Sequence, residues 1–482
     1  MKQTTAYLII DVGTGNVRVA VTGTDGTLLY LERENVIYEK DHLYPDALGF
    51  DPDGLWKQIT GMTQRALKAA GGVTIKAVTA TSQREGIVLI GRQGESLTGL
   101  PNHDHRGREW EGRIADKDRV YDLTGRYPGS LFSAMKLVAI RERRPELWER
   151  CATFLSISDW AQYCLTGIAR YEPSQASETL LYDVEQQRWS DELCAVFDIP
   201  AALLPPLQRS GTVLGKVTAE AAAALGISAE TPVVVGGADT QMAIRSTQPS
   251  VEDIVIVSGT TTPVVKIIRD YTLDGQQRTW TGRHTVSGEL VLETNCGVTG
   301  LNFQRLKAIF YPNESYAVLE QEVRDIGESA CMASLGSLLA GEKTPLNPAG
   351  FLLPVPLAQE LTRADFAWAA LWDIACCVRE NFDRLCEVTP YPLDYVWGCG
   401  GGFQSRLLAE FIAGLLGKHI RLRQGYEQAS VAGCVLTCNE ALDLHREEEL
   451  PVTEVAPRGQ ERYAARYERW KKARQSFRKM AD

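Results

Sequence analysis

The sequence has no run approaching the ~18–20 consecutive apolar residues that a membrane-crossing helix needs. Its opening residues, Met1-Lys2-Gln3-Thr4-Thr5, lead at once into Tyr7-Leu8-Ile9-Ile10-Asp11, where an early carboxylate interrupts any signal-peptide core. A cytoplasmic protein with no membrane partner is the expectation. Excess positive charge is also missing: 61 Asp and Glu against 51 Lys and Arg leave a net charge of −10. An acidic surface repels a phosphate backbone, so general nucleic-acid binding is disfavoured. Histidine is scarce, at six residues, and Cys-x-x-Cys does not occur, so His103-Asp104-His105 lacks the companions of a zinc site. The eleven cysteines are odd in number and scattered, with Cys376-Cys377 adjacent and Cys434 and Cys438 one helical turn apart. They read as buried free thiols in a reducing compartment. No serine or cysteine sits in an elbow motif with a His partner, which leaves nucleophilic hydrolysis without support.

What is present is the composition of a soluble globular protein, 44% hydrophobic and 23% charged. A length of 482 residues allows about three domains, or two large α/β ones. Tyr7–Val12 and Arg18–Thr22 read as strands joined by a Gly/Thr-rich turn, with a third strand over Leu28–Glu34. Asp53–Ala70 has helical periodicity, and Ile75–Thr81 is again strand-like. The second half repeats this grammar with Ile254–Val257, a turn at Ser258-Gly259-Thr260-Thr261-Thr262, and Val264–Ile268. Helices follow over Asp365–Glu387 and Ser405–Leu416, with Val396-Trp397-Gly398 entering Gly400-Gly401-Gly402 between them. Arg462–Lys479 interleaves basic residues with Tyr463, Tyr467, Trp470 and Phe477 and reads as an amphipathic helix with a solvated basic face. Two strand–turn–strand units about 245 residues apart point to two similar α/β domains around one cleft. The expected units are 1–246 and 247–482, split near the polar stretch Ser246–Glu252, with no low-complexity linker.

A tight turn free of bulky side chains directs backbone N–H groups at phosphate oxygens. Asp11-Val12-Gly13-Thr14-Gly15-Asn16-Val17-Arg18 has that form and adds a carboxylate able to hold Mg²⁺ through water. An ordinary hairpin turn is the competing reading. The later Gly and following helix of a dinucleotide fold are missing. Gly259-Thr260-Thr261 offers a second donor set, and Gly400-Gly401-Gly402 frees amides at a helix start. Gly336–Thr344 imitates a P-loop, but Glu342 precedes Lys343 and no strand leads into it. Val233–Ala238 delivers Asp239 beside two glycines, either as a proton acceptor or as an N-cap. Gln83-Arg84-Glu85, with Asp104 and Arg106, suit the hydroxyls of a polyol, or else are unrelated loop charges.

Taken in order, these motifs resemble the FGGY carbohydrate kinases, a family with two actin-like (ribonuclease H-like) ATPase domains around a central cleft. The resemblance runs from Asp11 to about Asn439 and includes Ser133-Ala134-Met135-Lys136-Leu137 and Glu427–Gly433. It implies Asp239 as the catalytic base and Gln83, Arg84, Glu85, Asp104, Arg106 and Gln241 as sugar-binding residues. ATP would meet Gly13, Thr14, Asn16 (the usual residue there is Ser or Thr), Arg18, Gly259, Thr260, Gly300, Gln304, Gly400, Gly401 and Ser405. Mg²⁺ would lie near Asp11, through water, and Asp239. Leu131 and Thr240 depart from glycerol kinase, and Arg84-Glu85 replaces the Met-His of xylulokinases. Arg84–Leu89, Ile157–Trp160 and Thr299-Gly300-Leu301 are most similar to autoinducer-2 kinases. The expectation is ATP-dependent phosphorylation of a small sugar, ketose or polyol, an autoinducer-2-like or pentulose substrate being favoured, by a chain for which a homodimer is admitted. A non-catalytic sugar- or nucleotide-responsive binding protein on the same fold is the alternative, with xylulokinase or glycerol kinase activity as alternatives among enzymes.

Overall fold

The computed structural model describes residues 4–335, 349–444 and 450–479. The P-loop-like stretch Gly336–Thr344 lies outside the described residues. Two mixed β-sheets carry the architecture. In the first, β1 (Thr4–Val12), β2 (Asn16–Gly23) and β3 (Leu28–Asn35) pair antiparallel in succession. With β4 (Val73–Ser82), β5 (Val213–Lys216) and β6 (Pro232–Ala238) the order is β5-β6-β4-β1-β2-β3, β4 lying parallel to both β1 and β6. The second sheet contains β7 (Ile254–Val257), β8 (Pro263–Ile268), β9 (Trp280–Arg283), β10 (Leu290–Asn295), β11 (Tyr395–Cys399), β12 (His419–Arg423) and β13 (Val452–Val455). Its order is β9-β10-β8-β7-β11-β12-β13. An antiparallel triple followed by two parallel strands therefore occurs twice, as β3-β2-β1-β4-β6 and as β10-β8-β7-β11-β12. The repeat read from the sequence is a repeat of topology.

Strand β1 shows why the first sheet is covered on both sides. From Ala6 onward its residues are buried, the near-continuous apolar run that a central strand with parallel neighbours requires. Successive side chains point to opposite faces. Leu8 and Ile10 join the core containing Ile59 and Met62 of the helix Pro52–Ala70. Tyr7 and Ile9 join Val431 and Val435 of the helix Ala429–Ala441. The first helix is set by local signals: Asp51 accepts from the Asp53 amide at 3.1 Å, Pro52 opens it, and Gly71 closes it at φ 62°. The second arrives from the far end of the chain, so the first sheet is complete only when the C-terminal half returns to it.

The second sheet rests on the 26-residue helix Arg363–Val388, entered through a capping box between Thr362 and Asp365. The amphipathic C-terminal helix Gln460–Lys479 packs against this layer, but its basic face is not wholly solvated. Arg466 is buried over the Trp368 ring, 4.0 Å from its centroid, and pairs with Glu328 at 2.5 Å. Arg474 is buried with Glu380 3.4 Å away. Aromatic neighbours and a carboxylate make burial of a guanidinium tolerable, which periodicity alone does not reveal. All eleven cysteines are free, nine of them buried. No helix among the described residues is long and apolar enough to cross a membrane.

The helix Ala429–Ala441 also packs on the short helix Asp239–Ser246, which follows β6, and the approach is backbone to backbone. A Cβ on Gly433 would lie 1.9 Å from the Met242 carbonyl oxygen. Tyr7 donates to Asn439 Oδ1 at 2.7 Å, tying the other end of the helix to β1. Gly433→Val is expected to destabilise the protein by about 1–3 kcal/mol through overpacking. Urea unfolding checks this, and a loss below about 0.5 kcal/mol, the range of a neutral surface change, would contradict the close packing.

Candidate active site

In open sheets with parallel strands, ligands sit beyond the carboxyl ends of those strands. Here β1, β4 and β6 end side by side, Val12 and Ala238 both pairing with Ser82. The Gly13–Asn16 turn, Gln83-Arg84-Glu85 and Asp239 therefore emerge along one edge. In the second sheet Val257 pairs with Cys399, so Ser258–Thr262 and Gly400–Gly402 emerge together. Their backbones touch: a Cβ on Gly400 would lie 2.4 Å from the Ser258 carbonyl oxygen, and in the neighbouring helix start one on Gly300 would lie 2.0 Å from the Gly259 carbonyl oxygen. Only glycine permits that approach. The amides of Gly13 and Gly259 close their own turns, on Asn16 O and Thr261 O at 2.9 Å each. The tips at Gly15, Gly259 and Thr260 are exposed. Thr14 Oγ1 accepts from Asn102 Nδ2 at 2.9 Å, which leaves its own proton to donate.

Asp11 is buried and accepts from Arg18 Nη2 at 2.5 Å and from Ser430 Oγ at 2.6 Å, both on Oδ2. Arg18 is fixed in turn by Gln428 Oε1 at 3.0 Å. The other oxygen, Asp11 Oδ1, is buried without a hydrogen-bond partner. Asp239, the first residue of its helix, is part-buried and accepts from the Thr240 amide at 2.6 Å. Burial, then the negative charge of Asp11, push its pKa up to about 6. Two carboxylates thus share one desolvated edge, and one lone pair is left pointing at nothing. That arrangement suits a divalent cation. Among the described residues no group of three or more His, Cys, Asp or Glu side chains is arranged to hold a metal alone. Mg²⁺ typically takes one or two carboxylates, water and substrate phosphates, which matches what is here.

Beside Asp239 lies a buried ionic cluster drawn from both halves. Arg84 grips Glu293 with two bonds, of 2.6 and 3.0 Å, while Arg126 grips Glu178 at 3.0 and 2.7 Å. Trp280 lies beside both guanidiniums, 5.7 and 5.3 Å from its ring centroid. Glu85 adopts a left-handed backbone at φ 60°, and its carbonyl accepts from Ser133 Oγ at 3.1 Å and Lys136 Nζ at 3.2 Å. Its carboxyl is buried, and desolvation raises its pKa to about 8, which makes it both donor and acceptor near neutrality.

Not every sequence-predicted residue faces this space. Gln83 braces the first turn, donating to Gly13 O at 3.3 Å and Tyr38 Oη at 3.2 Å. Asp104 accepts from Arg106 Nε at 2.8 Å and from the Leu48 amide at 2.9 Å, and Arg106 donates back to Leu48 O at 2.9 Å. Both are buried and fasten a loop. Gln241 is buried with neither amide atom bonded. Ser405 caps the helix Arg406–Leu416 through the Leu408 amide. Gln304 is exposed on the helix Gly300–Phe310, and Asn16 opens β2. Sequence reasoning assigned no role to Ser430, Lys136, Arg126, Glu178, Trp280 or Glu293. The first two stand inside recognised motifs, whereas the others carry no local signal.

Residues 6–245 match the N-terminal domain of the FGGY family of carbohydrate kinases. A Bacillus subtilis (strain 168) protein named "Putative sugar kinase YoaC" is 49% identical over 479 residues, 99% of this chain and 98% of that one. The chain belongs to the FGGY family of carbohydrate kinases. It is a sugar kinase, a phosphotransferase by family. An autoinducer-2 kinase from Yersinia enterocolitica is 26% identical over 463 residues, 91% of this chain and 87% of that one. Plasmodium falciparum glycerol kinase with ADP superposes at a TM-score of 0.83 with 17% identity, over 98% of both chains. Ligand-bound xylulose kinase from Lactobacillus acidophilus gives 0.83 at 15% identity, over 99% of this chain and 98% of that one. These likenesses show that the FGGY kinases' two-domain actin-like α/β fold, expected from the motifs, is the fold of this chain.

The raised pKa of Asp239 has a consequence for stability. A carboxyl whose folded pKa exceeds its unfolded value favours folding below about pH 4, and that contribution is lost as pH rises through about 6. Asp239→Asn is therefore expected to stabilise the protein by about 1–3 kcal/mol at pH 8. The gain should vanish below about pH 4. Thermal melts of both proteins across this range decide it, and a destabilised variant at pH 8 would contradict the electrostatic assignment.

Proposed function

We propose that this kinase transfers the γ-phosphate of ATP to a hydroxyl of a small ketose or polyol, with a linear autoinducer-2-like substrate or a pentulose favoured. The observation that carries this reading is Asp239, raised toward neutrality at the mouth of the first sheet beside a half-satisfied Asp11. At neutral pH the Asp239 carboxylate is ionised and basic enough to take a proton. The substrate hydroxyl oxygen attacks the γ-phosphorus, the bond to the β,γ-bridging oxygen breaks, ADP departs and the hydroxyl proton passes to Asp239. Thr14 and Thr260, with the exposed turn tips, donate to the phosphates. Glu85 receives substrate hydroxyls as donor and acceptor, and Trp280 offers its ring beside them. Asp11 Oδ1, through water, and Asp239 would hold Mg²⁺, which when bound supplies neutralisation of phosphate charge. Units 1–246 and 247–482 close over the substrates and exclude water, limiting ATP hydrolysis.

Leu131 with Thr240, and the likeness to autoinducer-2 kinases over 91% of the chain, support the autoinducer-2-like preference over glycerol. A coupled ADP-release screen over glycerol, pentuloses, hexuloses, alditols and the autoinducer-2 precursor tests it. At least one should stimulate turnover, with kcat/KM falling as pH drops below about 6, where Asp239 becomes protonated. Asp239→Asn should lower kcat by about 10²–10⁴-fold while ATP still binds. Near-normal turnover in that variant would overturn the base assignment.

A further inference from the structure

The ionic cluster beside Asp239 is unusual in how its positive charges are spent. Arg84, whose charge acts on Asp239, has both terminal nitrogens on Glu293, with Glu178 Oε1 3.5 Å from one of them. Glu293 reaches it from β10, in the other half of the chain, 209 residues away. It is steadied by Asn295 Nδ2, which donates to Oε1 at 3.1 Å. Arg126 is likewise filled, by Glu178 and by Thr281 O at 2.7 Å. Lys136 spends its ammonium on the carbonyls of Glu85, Asn102 and Leu131. Arg106 is taken by Asp104. Burial holds His103 at about 4 and His105 at about 3, so both are neutral. Arg283, on the same hairpin as Trp280, has Glu172 and Tyr182 as its electrostatic neighbours. Arg18 is spent on Asp11 and Gln428, and the remaining titratable groups here, Glu85, Asp239 and Asp11, are carboxyls.

We propose that Glu293 sets the charge class of the substrate: by filling the guanidinium fork of Arg84 it leaves the sugar end of the cleft, among the described residues, without a cation free to pair with an anion. The acceptor is then an uncharged polyol or ketose, and sugar acids and sugar phosphates are rejected. A carboxylate brought here would be desolvated beside the charge of Asp239 with no cation to offset it. A neutral hydroxyl needs only hydrogen bonds, which the Glu85 carboxyl can supply as donor and acceptor. This inference rests on the kinase reading for the location of the sugar.

The test compares matched neutral and acidic ligands, D-xylulose with D-xylonate and glycerol with D-glycerate. Binding to the full chain is followed by tryptophan fluorescence, since Trp280 adjoins Arg84, and ADP release is measured in parallel. The wild type should bind the neutral member of a pair and show no measurable affinity for the acid. Glu293→Gln frees one arm of Arg84 and should strengthen binding of the acid by about ten- to a hundredfold. The double variant Arg84→Met/Glu293→Gln should lose that gain, which separates a charge effect from general loosening. Acids bound by the wild type as tightly as their neutral partners, or an unchanged acid affinity in a folded Glu293→Gln protein, would overturn the proposal. Absence of ADP release with every neutral sugar would instead count against the kinase reading, and the binding comparison would still read the charge class.

Discussion

Two carboxylates placed on one desolvated edge repel each other, and the whole site is arranged around that repulsion. Asp11 ends β1 and Asp239 follows β6, and their proximity helps lift Asp239 to about 6. Arg18 and Ser430 satisfy one oxygen of Asp11 and leave the other bare. A pair so built costs stability by itself, and in the proposed reaction a cation and a phosphate chain would offset that cost.

The fold supplies this tension from outside the site. Parallel β1, β4 and β6 deliver their ends together because helices cover both faces of their sheet. One of those helices, Ala429–Ala441, comes from the opposite half of the chain. It carries Ser430 to Asp11 and rests Gly433 on the backbone of the Asp239 helix. The same segment thus packs the core and trims the electrostatics of the cleft. Glu293 crosses in the same way to Arg84. The second half thus supplies a hydroxyl and a carboxylate to charged residues of the first.

Much of this was legible in the sequence. The strand–turn–strand units, the glycine-rich turns and the placement of Asp11 and Asp239 at strand ends follow from local periodicity and turn chemistry, and the structure has them where they were read. What escaped was pairing across long separations. Ser430 and Asp11 are 419 residues apart, and Glu293 lies in an apolar strand that looks like plain core. Local reading also cannot say whether a polar residue faces a ligand or another residue. Asp104 and Arg106 look like hydroxyl binders and spend themselves on each other and on Leu48; Ser405 looks like a nucleotide contact and caps a helix. The C-terminal helix repeats the lesson, since Arg466 and Arg474 count as surface by composition and are buried by their aromatic neighbours.

The most direct measurement is a crystal structure of the full chain with a non-hydrolysable ATP analogue, Mg²⁺ and a neutral ketose. The account predicts the triphosphate between the Gly13–Asn16 and Ser258–Thr262 turns. Metal density should lie beside Asp11 Oδ1, and the Asp239 carboxylate should face the sugar hydroxyl nearest the terminal phosphate. A nucleotide bound away from those turns, or Asp239 directed out of the cleft with sugar and phosphate in place, would contradict it.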